Sequence, residues 1–298
     1  MSFIEKRKRV WGDRKDGHRV KDAPAMNKIM SLLYPNRCEC QVSATTELDI
    51  TDLLAFLREK NAANPERELK FFHCFVTAIV RVLNERRFLN RFVQGGEIYE
   101  RDEITVSFVA KRRFQDNAEE ALLTYCAKKD DTLEDVARFI LGEVGEMRRT
   151  DNKKKDADAS IEFVAKLPRL LRMIIVRTAR TLDYWGKVPK SLTRGDPNYS
   201  TVLLANLGSI RCPSAHHHLN NYGTTSIMIT IGTMTQKTIL RPDGTAERRD
   251  VVEITSTCDE RIADGFYFAR SIRLLARILE TPALLEKPFD EESGLEEI

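Results

Sequence analysis

The chain has 298 residues, of which 42% are hydrophobic and 31% are charged, an ordinary balance for a soluble globular protein that can bury a sizeable core. The formal net charge is only +3, which excludes a nucleic-acid binder that acts through bulk charge. No stretch approaches the roughly 18 uncharged apolar residues of a membrane-spanning helix. The N-terminus also lacks the apolar segment of a signal peptide.

The six cysteines form no C-x-x-C pair. Cys38 and Cys40 are two positions apart, a spacing that suits neither a zinc knuckle nor a thioredoxin motif. Cys74, Cys126 and Cys258 lie inside apolar runs, which is typical of small buried thiols. We therefore predict reduced cysteines, a cytoplasmic protein and no metal site.

The first half of the chain predicts a mixture of helices and strands. The first 35 residues are charged, contain Gly and Pro, and are expected to wrap over the surface. Residues 36–49 have a partly extended pattern, and Thr51-Asp52 predicts the start of a helix. A more apolar helix follows over about 67–86, with His73 as a core histidine. Gly95-Gly96 predicts a hairpin-like turn, and strands are expected at 104–110 and 122–126.

The second half continues the mixture. A helix opens at Thr132-x-x-Asp135, and strands are predicted at 201–207, 226–232, 235–240 and 251–257. Pro242-Asp243-Gly244 is a strong turn signal between the last two strands. The final helix begins near Asp264 and ends near Leu279, before Pro282. Because helices and strands do not alternate steadily, the pattern predicts one α/β domain on a mixed sheet, not a doubly wound parallel fold.

Four segments, taken in order, carry a resemblance to a known family. They are Phe71–Leu83, residues 89–110, Val202–Gly208, and Asp259–Gly265 with the tail to Leu285. The last begins Asp-Glu-Arg-Ile-Ala-Asp-Gly, which has the frame of D-H-R-x-x-D-G. The set resembles the catalytic domain of the dihydrolipoyl acyltransferases of 2-oxoacid dehydrogenase complexes, and the related H-x-x-x-D-G occurs in chloramphenicol acetyltransferases. More narrowly, it resembles stand-alone bacterial acyltransferase-like proteins that carry D-E-R-I-A-D-G.

The resemblance implies an α/β fold of the CoA-dependent acyltransferase type, a mixed-sheet two-layer sandwich, assembled as a homotrimer with active sites between subunits. Coenzyme A or acyl-CoA would be a substrate, and no covalent lipoyl group is expected. The predicted organisation is an N-terminal surface-wrapping segment over 1–45, an acyltransferase-like domain over 46–285 and an acidic tail over 286–298. A helical insert occupies about 148–199.

Glu260 stands where the families have the histidine that acts as general base. A free glutamate side chain has a pKa near ~4.3, against ~6.5 for histidine and ~8.5 for a thiol. Proton transfer from a thiol to glutamate is therefore uphill by about 4 units, or roughly 5–6 kcal/mol, unless burial raises the carboxyl pKa. Two hypotheses stay open: Glu260 acts as the base, or it pairs with Arg261 or another cation.

The remaining residues of the motif are expected to support the site. The resemblance assigns Asp264 a structural role through a salt bridge, with Arg261 as a further support. Gly265 is expected to allow a tight approach before the helix. The hydroxyl that steadies the oxyanion in the family is missing, because this chain has Leu203, Leu204 and Ala205 there. Two hydrogen-bond donors lie nearby in the sequence. We take the amide of Asn206 as a catalytic candidate and the hydroxyl of Ser209 as a substrate-binding candidate.

His216-His217-His218 is the candidate replacement for the missing base. In extended backbone His216 and His218 face one way and His217 the other. We take His217 and His218 as catalytic candidates, with Asn221 and Tyr222 as substrate-binding candidates beside them. A hydrogen-bonded surface role is the alternative, and a metal pair would lack an evident third ligand.

Residues 161–185 of the insert predict a basic amphipathic helix. Three roles stay open for it: packing on the trimer or a neighbouring element, closing over an active-site mouth where it favours CoA phosphates, and lying on a membrane surface.

The sequence therefore predicts an acyltransferase that moves an acyl group between coenzyme A and a small thiol, amine or hydroxyl acceptor. The alternative is a non-catalytic binding or assembly module on the same fold.

Overall fold

The computed structural model describes residues 4, 7–111, 120–149, 164–189, 193, 196–240 and 243–295. The α-helices are Ala25–Leu33 (α1), Thr51–Ala63 (α2), Phe71–Glu85 (α3), Leu133–Arg149 (α4), Arg169–Tyr184 (α5) and Gly265–Glu280 (α6). The strands are Gly17–Arg19 (β1), Gln41–Asp49 (β2), Arg91–Gln94 (β3), Glu97–Arg101 (β4), Thr105–Lys111 (β5), Glu120–Cys126 (β6), Val202–Asn206 (β7), Ile227–Leu240 (β8) and Ala246–Asp259 (β9).

Within these residues, the main sheet has six strands in the order β2-β9-β8-β7-β5-β6. The central pairs β8–β7 and β7–β5 are parallel, and the outer pairs β2–β9, β9–β8 and β5–β6 are antiparallel. A smaller antiparallel sheet has the order β1-β4-β3. The predicted mixed sheet is therefore confirmed.

One face of the main sheet carries the core. Alternate side chains of the central strands point to the same side, as the two-residue period of a strand requires. Val202 and Leu204 of β7 and Ile229 of β8 join one continuous apolar cluster with residues of α3 and α6, such as Phe75 and Leu275. Nearly every residue of α3 is buried, as its apolar sequence predicted. The helices thus form the second layer of a two-layer sandwich.

Two predictions of local structure need correction. The strands expected at 226–232 and 235–240 are one strand, β8, with a shift of register between Ile231 and Met234. This irregularity interrupts the pairing with β9 without ending the strand, because a bulge keeps both strands in one ladder. The charged first 35 residues also contain regular structure: β1 pairs with β4, and α1 follows it.

The helix predicted at 161–185 corresponds to α5, which spans Arg169–Tyr184. Residues 161–163 of the prediction lie outside the described part of the chain. The large apolar side chains of α5 are exposed, and Leu170 keeps 68% of its surface accessible. None of the described helices is both long enough and apolar enough to cross a bilayer.

Candidate functional site

The motif that begins at Asp259 is built around a buried ion cluster. The Asp259 carboxylate accepts hydrogen bonds from Arg261 Nε at 2.8 Å and from its terminal nitrogen at 2.7 Å. Arg37 Nε lies 3.5 Å from the same carboxylate. All three side chains are buried, and Arg261 also donates to the carbonyl of Tyr34 at 2.9 Å. The cluster ties the end of β9 to the segment that precedes β2.

The charges in this cluster depend on one another because each is shielded from water. Burial lowers the pKa of Arg37, and the charge of Asp259 offsets part of that change. Burial also opposes the charge of Arg261, but its hydrogen bonds to Asp259 outweigh burial and raise the pKa of its guanidinium. Asp259 is the anion that keeps both arginines charged in the interior.

Glu260 is exposed, next to this cluster. Its backbone N–H donates to the carbonyl of Cys40 at 2.8 Å, which fixes the main chain. In the part of the chain that the structure describes, its carboxylate has no hydrogen bond and no ion pair. The guanidinium of Arg261 is directed to Asp259 instead, so the pairing of Glu260 with Arg261 that the sequence left open is absent.

Asp264 and Gly265 begin α6. Asp264 is the N-cap of this helix, and its carboxylate accepts from the backbone N–H of Tyr267 at 2.8 Å. Among described residues it makes this cap rather than the salt bridge that the resemblance implied. The expected close approach at Gly265 is wrong for the single chain, because a Cβ there would meet nothing within 4 Å.

The histidine loop lies on the surface, with His216, His217 and His218 all exposed. The expected opposite orientation of His217 and His218 is wrong: their rings stack with centroids 4.9 Å apart and planes 16° apart. The loop is not an ideal strand, so strict alternation does not hold. His217 Nδ1 lies 2.8 Å from the His218 carbonyl oxygen. A carbonyl can only accept, so in a neutral ring Nδ1 carries the proton and Nε2 is left as an acceptor.

The histidine loop is attached to the Asp259 motif through Gln41. The backbone N–H of Leu219 donates to Gln41 Oε1 at 2.9 Å, and Gln41 pairs with Asp259 across β2 and β9. We call this region, formed by Cys40, Gln41, residues 217–219 and residues 259–261, the motif corner. The structure thus brings the histidine loop and Glu260 to the same end of the sheet.

Asn206 and Ser209 are elsewhere. Asn206 ends β7 and pairs with Ile231 of β8. Asp259 lies near the start of β8 instead, where its backbone N–H donates to the carbonyl of Ser226. The four strand steps from Ile227 to Ile231 correspond to about 13 Å along β8. Asn206 Oδ1 accepts from the Ser209 N–H at 3.2 Å, and the Ser209 hydroxyl donates to the Asn206 carbonyl at 2.7 Å. One chain therefore does not bring these residues to the motif corner.

Asn221 and Tyr222 line a cavity of about 1170 Å³ between α1, the β3–β4 turn and α5. Asn221 Oδ1 accepts from the Cys38 N–H at 3.0 Å, and the Tyr222 ring packs edge-on against Tyr199 at 5.7 Å. Neither Glu260 nor the three histidines line this cavity. The predicted substrate-binding and catalytic residues are therefore separated within one chain.

Sequence comparison finds a match to a family model over the C-terminal third. Residues 187–286 match the family described as 2-oxoacid dehydrogenases acyltransferase (catalytic domain). This range includes Asn206, the histidine loop and the Asp259 motif. No curated protein matches the chain by sequence.

Solved structures extend the likeness to the whole chain. A probable dihydrolipoamide acetyltransferase from Listeria monocytogenes 4b F2365 matches with a TM-score of 0.57 and 15% identity over 99% of both chains. The chain has the acyltransferase-core fold. The cubic core of the pyruvate dehydrogenase multienzyme complex matches with a TM-score of 0.55 and 14% identity, over 88% of this chain and 92% of the other. A chloramphenicol acetyltransferase matches with a TM-score of 0.50 and 14% identity, over 89% and 98%. The predicted fold is confirmed.

A row of hydroxyls on the sheet face opposite the core was not anticipated from the sequence. Ser43 bonds Thr257 at 2.8 Å and Thr45 bonds Thr255 at 3.0 Å across β2 and β9. The alternation of Ser and Thr in β2 and β9 is the signal that could have predicted it. Ala205 lies on this face beside Thr230, whose hydroxyl is already bonded to the Ala215 carbonyl at 2.7 Å. Across the described residues, no group of three or more His, Cys, Asp or Glu side chains could hold a metal.

Proposed function

We propose that this protein is a CoA-dependent acyltransferase whose active site forms between copies of the chain, with the motif corner supplying the base. The observation that carries the proposal is His217 Nε2, which has no partner among the described residues while Nδ1 contacts the His218 carbonyl. The hydrogen bond from the Leu219 N–H to Gln41 holds this loop next to the Asp259 motif. The acyltransferase-core fold and the family match over residues 187–286 support it.

The base is assigned to His217 because of the proton-transfer cost. An imidazole lies about 2 pKa units below a thiol, a cost of roughly 3 kcal/mol, against roughly 5–6 kcal/mol for a free carboxylate. In the proposed step, His217 Nε2 takes the proton of the acceptor as that acceptor attacks the thioester carbonyl. The tetrahedral intermediate then collapses, the bond from carbon to sulfur breaks, and the imidazolium returns the proton to the CoA thiolate.

Glu260 and Asn206 receive supporting roles in this proposal. Glu260 is exposed with no partner among described residues, so its carboxylate can bind a hydroxyl or a cationic group of the acceptor. Asn206 Nδ2 donates to no described residue, because only the Oδ1 atom of this amide is used at its turn. We assign it to the oxyanion on a neighbouring copy, where one good donor contributes roughly 3 kcal/mol of transition-state stabilisation.

Assembly is part of the proposal because Glu260 and Asn206 are far apart in one chain. Large apolar side chains are exposed on α1 and α5, including Leu33 at 66% and Leu170 at 68%. Contiguous exposed apolar surface on a soluble protein marks an interaction site. We propose a homotrimer, or a multiple of it, in the cytoplasm; membrane-surface binding through α5 is the competing use of the same residues.

The test is thiol release from acetyl-CoA by the purified full chain, with dihydrolipoamide, amines and alcohols as acceptors. His217→Ala should lower the acceptor-dependent rate at least tenfold, because general-base catalysis contributes on the order of 10²–10⁴. His216→Ala is the matched control, since it removes a neighbouring exposed histidine and leaves the stacked pair of His217 and His218 in place. Equal rates in both variants would overturn the assignment of His217.

The second candidate is a non-catalytic binding or assembly module. The observation that favours it is the glutamate at the position of the family histidine, in a chain whose remaining histidines are outside the cavity. It predicts no acceptor-dependent thiol release and no CoA binding by calorimetry, together with a stable trimer by light scattering. CoA binding without turnover would instead retain the acyltransferase proposal and direct the search to the acceptor.

A further inference from the structure

The cavity beside α5 has one strongly basic wall. Four arginines of this helix line it: Arg169, Arg172, Arg177 and Arg180. None of their guanidiniums has a hydrogen bond or an ion pair to any residue that the structure describes. Four positive charges along one helix face repel one another, and a bound anion would reduce that repulsion. All four guanidiniums would therefore attract an anion in the cavity.

Asp183 is the acidic residue among the described residues that line the cavity, and it cannot neutralise that wall. Asp183 is buried and already pairs with Arg14, whose terminal nitrogens donate to its carboxylate at 3.3 Å and to its carbonyl at 2.6 Å. Gln94 Nε2 donates to the other carboxylate oxygen at 2.7 Å. The carboxylate of Asp183 therefore fixes the end of α5, and the four arginines keep their excess charge.

The spacing of the arginines describes the ligand. Arg169 and Arg180 are 11 positions apart, which places their Cα atoms roughly 16 Å apart along the helix. One phosphate is too small to reach both ends of that row. A ligand that satisfies the wall must therefore carry at least two separated anionic groups, for which guanidiniums are well suited.

Much of the remaining lining is apolar or aromatic. Leu32 of α1, Val93 of β3 and Met173 of α5 line the cavity with the rings of Tyr184 and Trp185. Such surfaces bind a planar or aliphatic body. A volume of about 1170 Å³ accommodates a ligand larger than a simple metabolite.

We propose that this cavity binds an organic polyanion of the nucleotide class, with two or more phosphates engaged by the arginines of α5 and a ring stacked near Trp185. The cavity lies outside the motif corner, so binding of a free nucleotide there does not depend on acyl transfer; where the ligand is coenzyme A, the inference rests on the proposed function. Both a free nucleotide and the nucleotide end of coenzyme A present this chemistry.

Trp185 gives the experiment its signal, since the chain contains only two tryptophans and Trp11→Phe leaves Trp185 alone. Fluorescence of this variant is titrated with adenosine 3′,5′-bisphosphate, ATP, coenzyme A, AMP and inorganic phosphate, at low salt and at 0.15 M salt. We expect saturable quenching by the first three, weaker binding of AMP, and no saturation by inorganic phosphate. Equal affinity for coenzyme A and the bisphosphate would identify the nucleotide end as the part bound, whereas preference for ATP would identify a free nucleotide.

The variant Arg172→Gln/Arg177→Gln, in the Trp11→Phe background, should weaken binding at least tenfold, because each charge-assisted contact is worth about tenfold or more. Both side chains are exposed, so the thermal midpoint should not change. Arg58→Gln removes an exposed arginine of α2 as the matched control and should bind like the parent. Absence of saturation, or equal weakening in the control, would overturn the proposal.

Discussion

Replacing Asp259 by Asn should lower the free energy of unfolding more than any other substitution at the motif. The substitution keeps the shape of the side chain but removes the anion that faces Arg37 and Arg261 in the interior. An amide oxygen can still accept one hydrogen bond from Arg261, but the amide nitrogen is a donor facing another donor. Two buried guanidiniums are then left without a counter-charge.

The magnitude follows from burial. Asp259 has 0% of its surface exposed and Arg261 has 1%, so water cannot solvate the unpaired charges. Removing one member of a buried pair costs about 3–5 kcal/mol, although carbonyls that accept from Arg37 offset part of the loss. We expect a loss of about 3 kcal/mol or more, which lowers the folding equilibrium constant by roughly a hundredfold.

The assay is urea unfolding followed by circular dichroism at one protein concentration, so that assembly affects each variant alike. Glu260→Gln is the control, because it removes the neighbouring carboxylate, which is exposed and unpaired among described residues; its effect should stay within about 0.5 kcal/mol. A loss of less than about 1 kcal/mol in the free energy of unfolding of Asp259→Asn would show that the ion cluster contributes little to stability.

Three further predictions concern buried groups and one turn. Burial lowers the pKa of His73 to about 4, below the ~6.5 of an unfolded histidine. As pH drops, the unfolded chain therefore binds a proton at His73 before the folded chain does. The free energy of unfolding should fall by up to about 3 kcal/mol as pH drops from 6.5 to 4. His73→Gln should reduce this pH dependence in urea unfolding, and an equal pH dependence in both proteins would contradict the assignment. Gly223→Ala should lower the thermal midpoint more than Gly244→Ala, because both have positive φ but only Gly223 would place a Cβ 2.3 Å from the Asn198 carbonyl oxygen; equal midpoints would refute the clash. Burial raises the pKa of Cys74 and of Cys258 to about 12, so iodoacetamide at pH 8 should label them only after unfolding, as peptide mass spectrometry would detect; labelling in the native protein would disprove their burial.

The sequence determined most of the elements and the fold class. Apolar periodicity located α3, and turn signals at Gly95-Gly96 and Asp243-Gly244 separated the strands on either side. The frame from Asp259 to Gly265 indicated the acyltransferase-core fold because it resembles the motif of known acyltransferases. Continuity of β8 was missed, since a bulge depends on the pairing strand and leaves no clear mark in one sequence.

Only the tertiary structure decided which candidate residues meet. Arg261 could have paired with Glu260 or with Asp259, and the choice of Asp259 depends on burial that no local pattern records. Gln41 joins the histidine loop to the motif across 178 positions, and the arginines of α5 form a wall only because α1 and the β3–β4 turn lie opposite. Side-chain chemistry is fixed by sequence, but proximity between distant segments arises from packing, so the sequence supplied the candidate groups and the fold selected their partners.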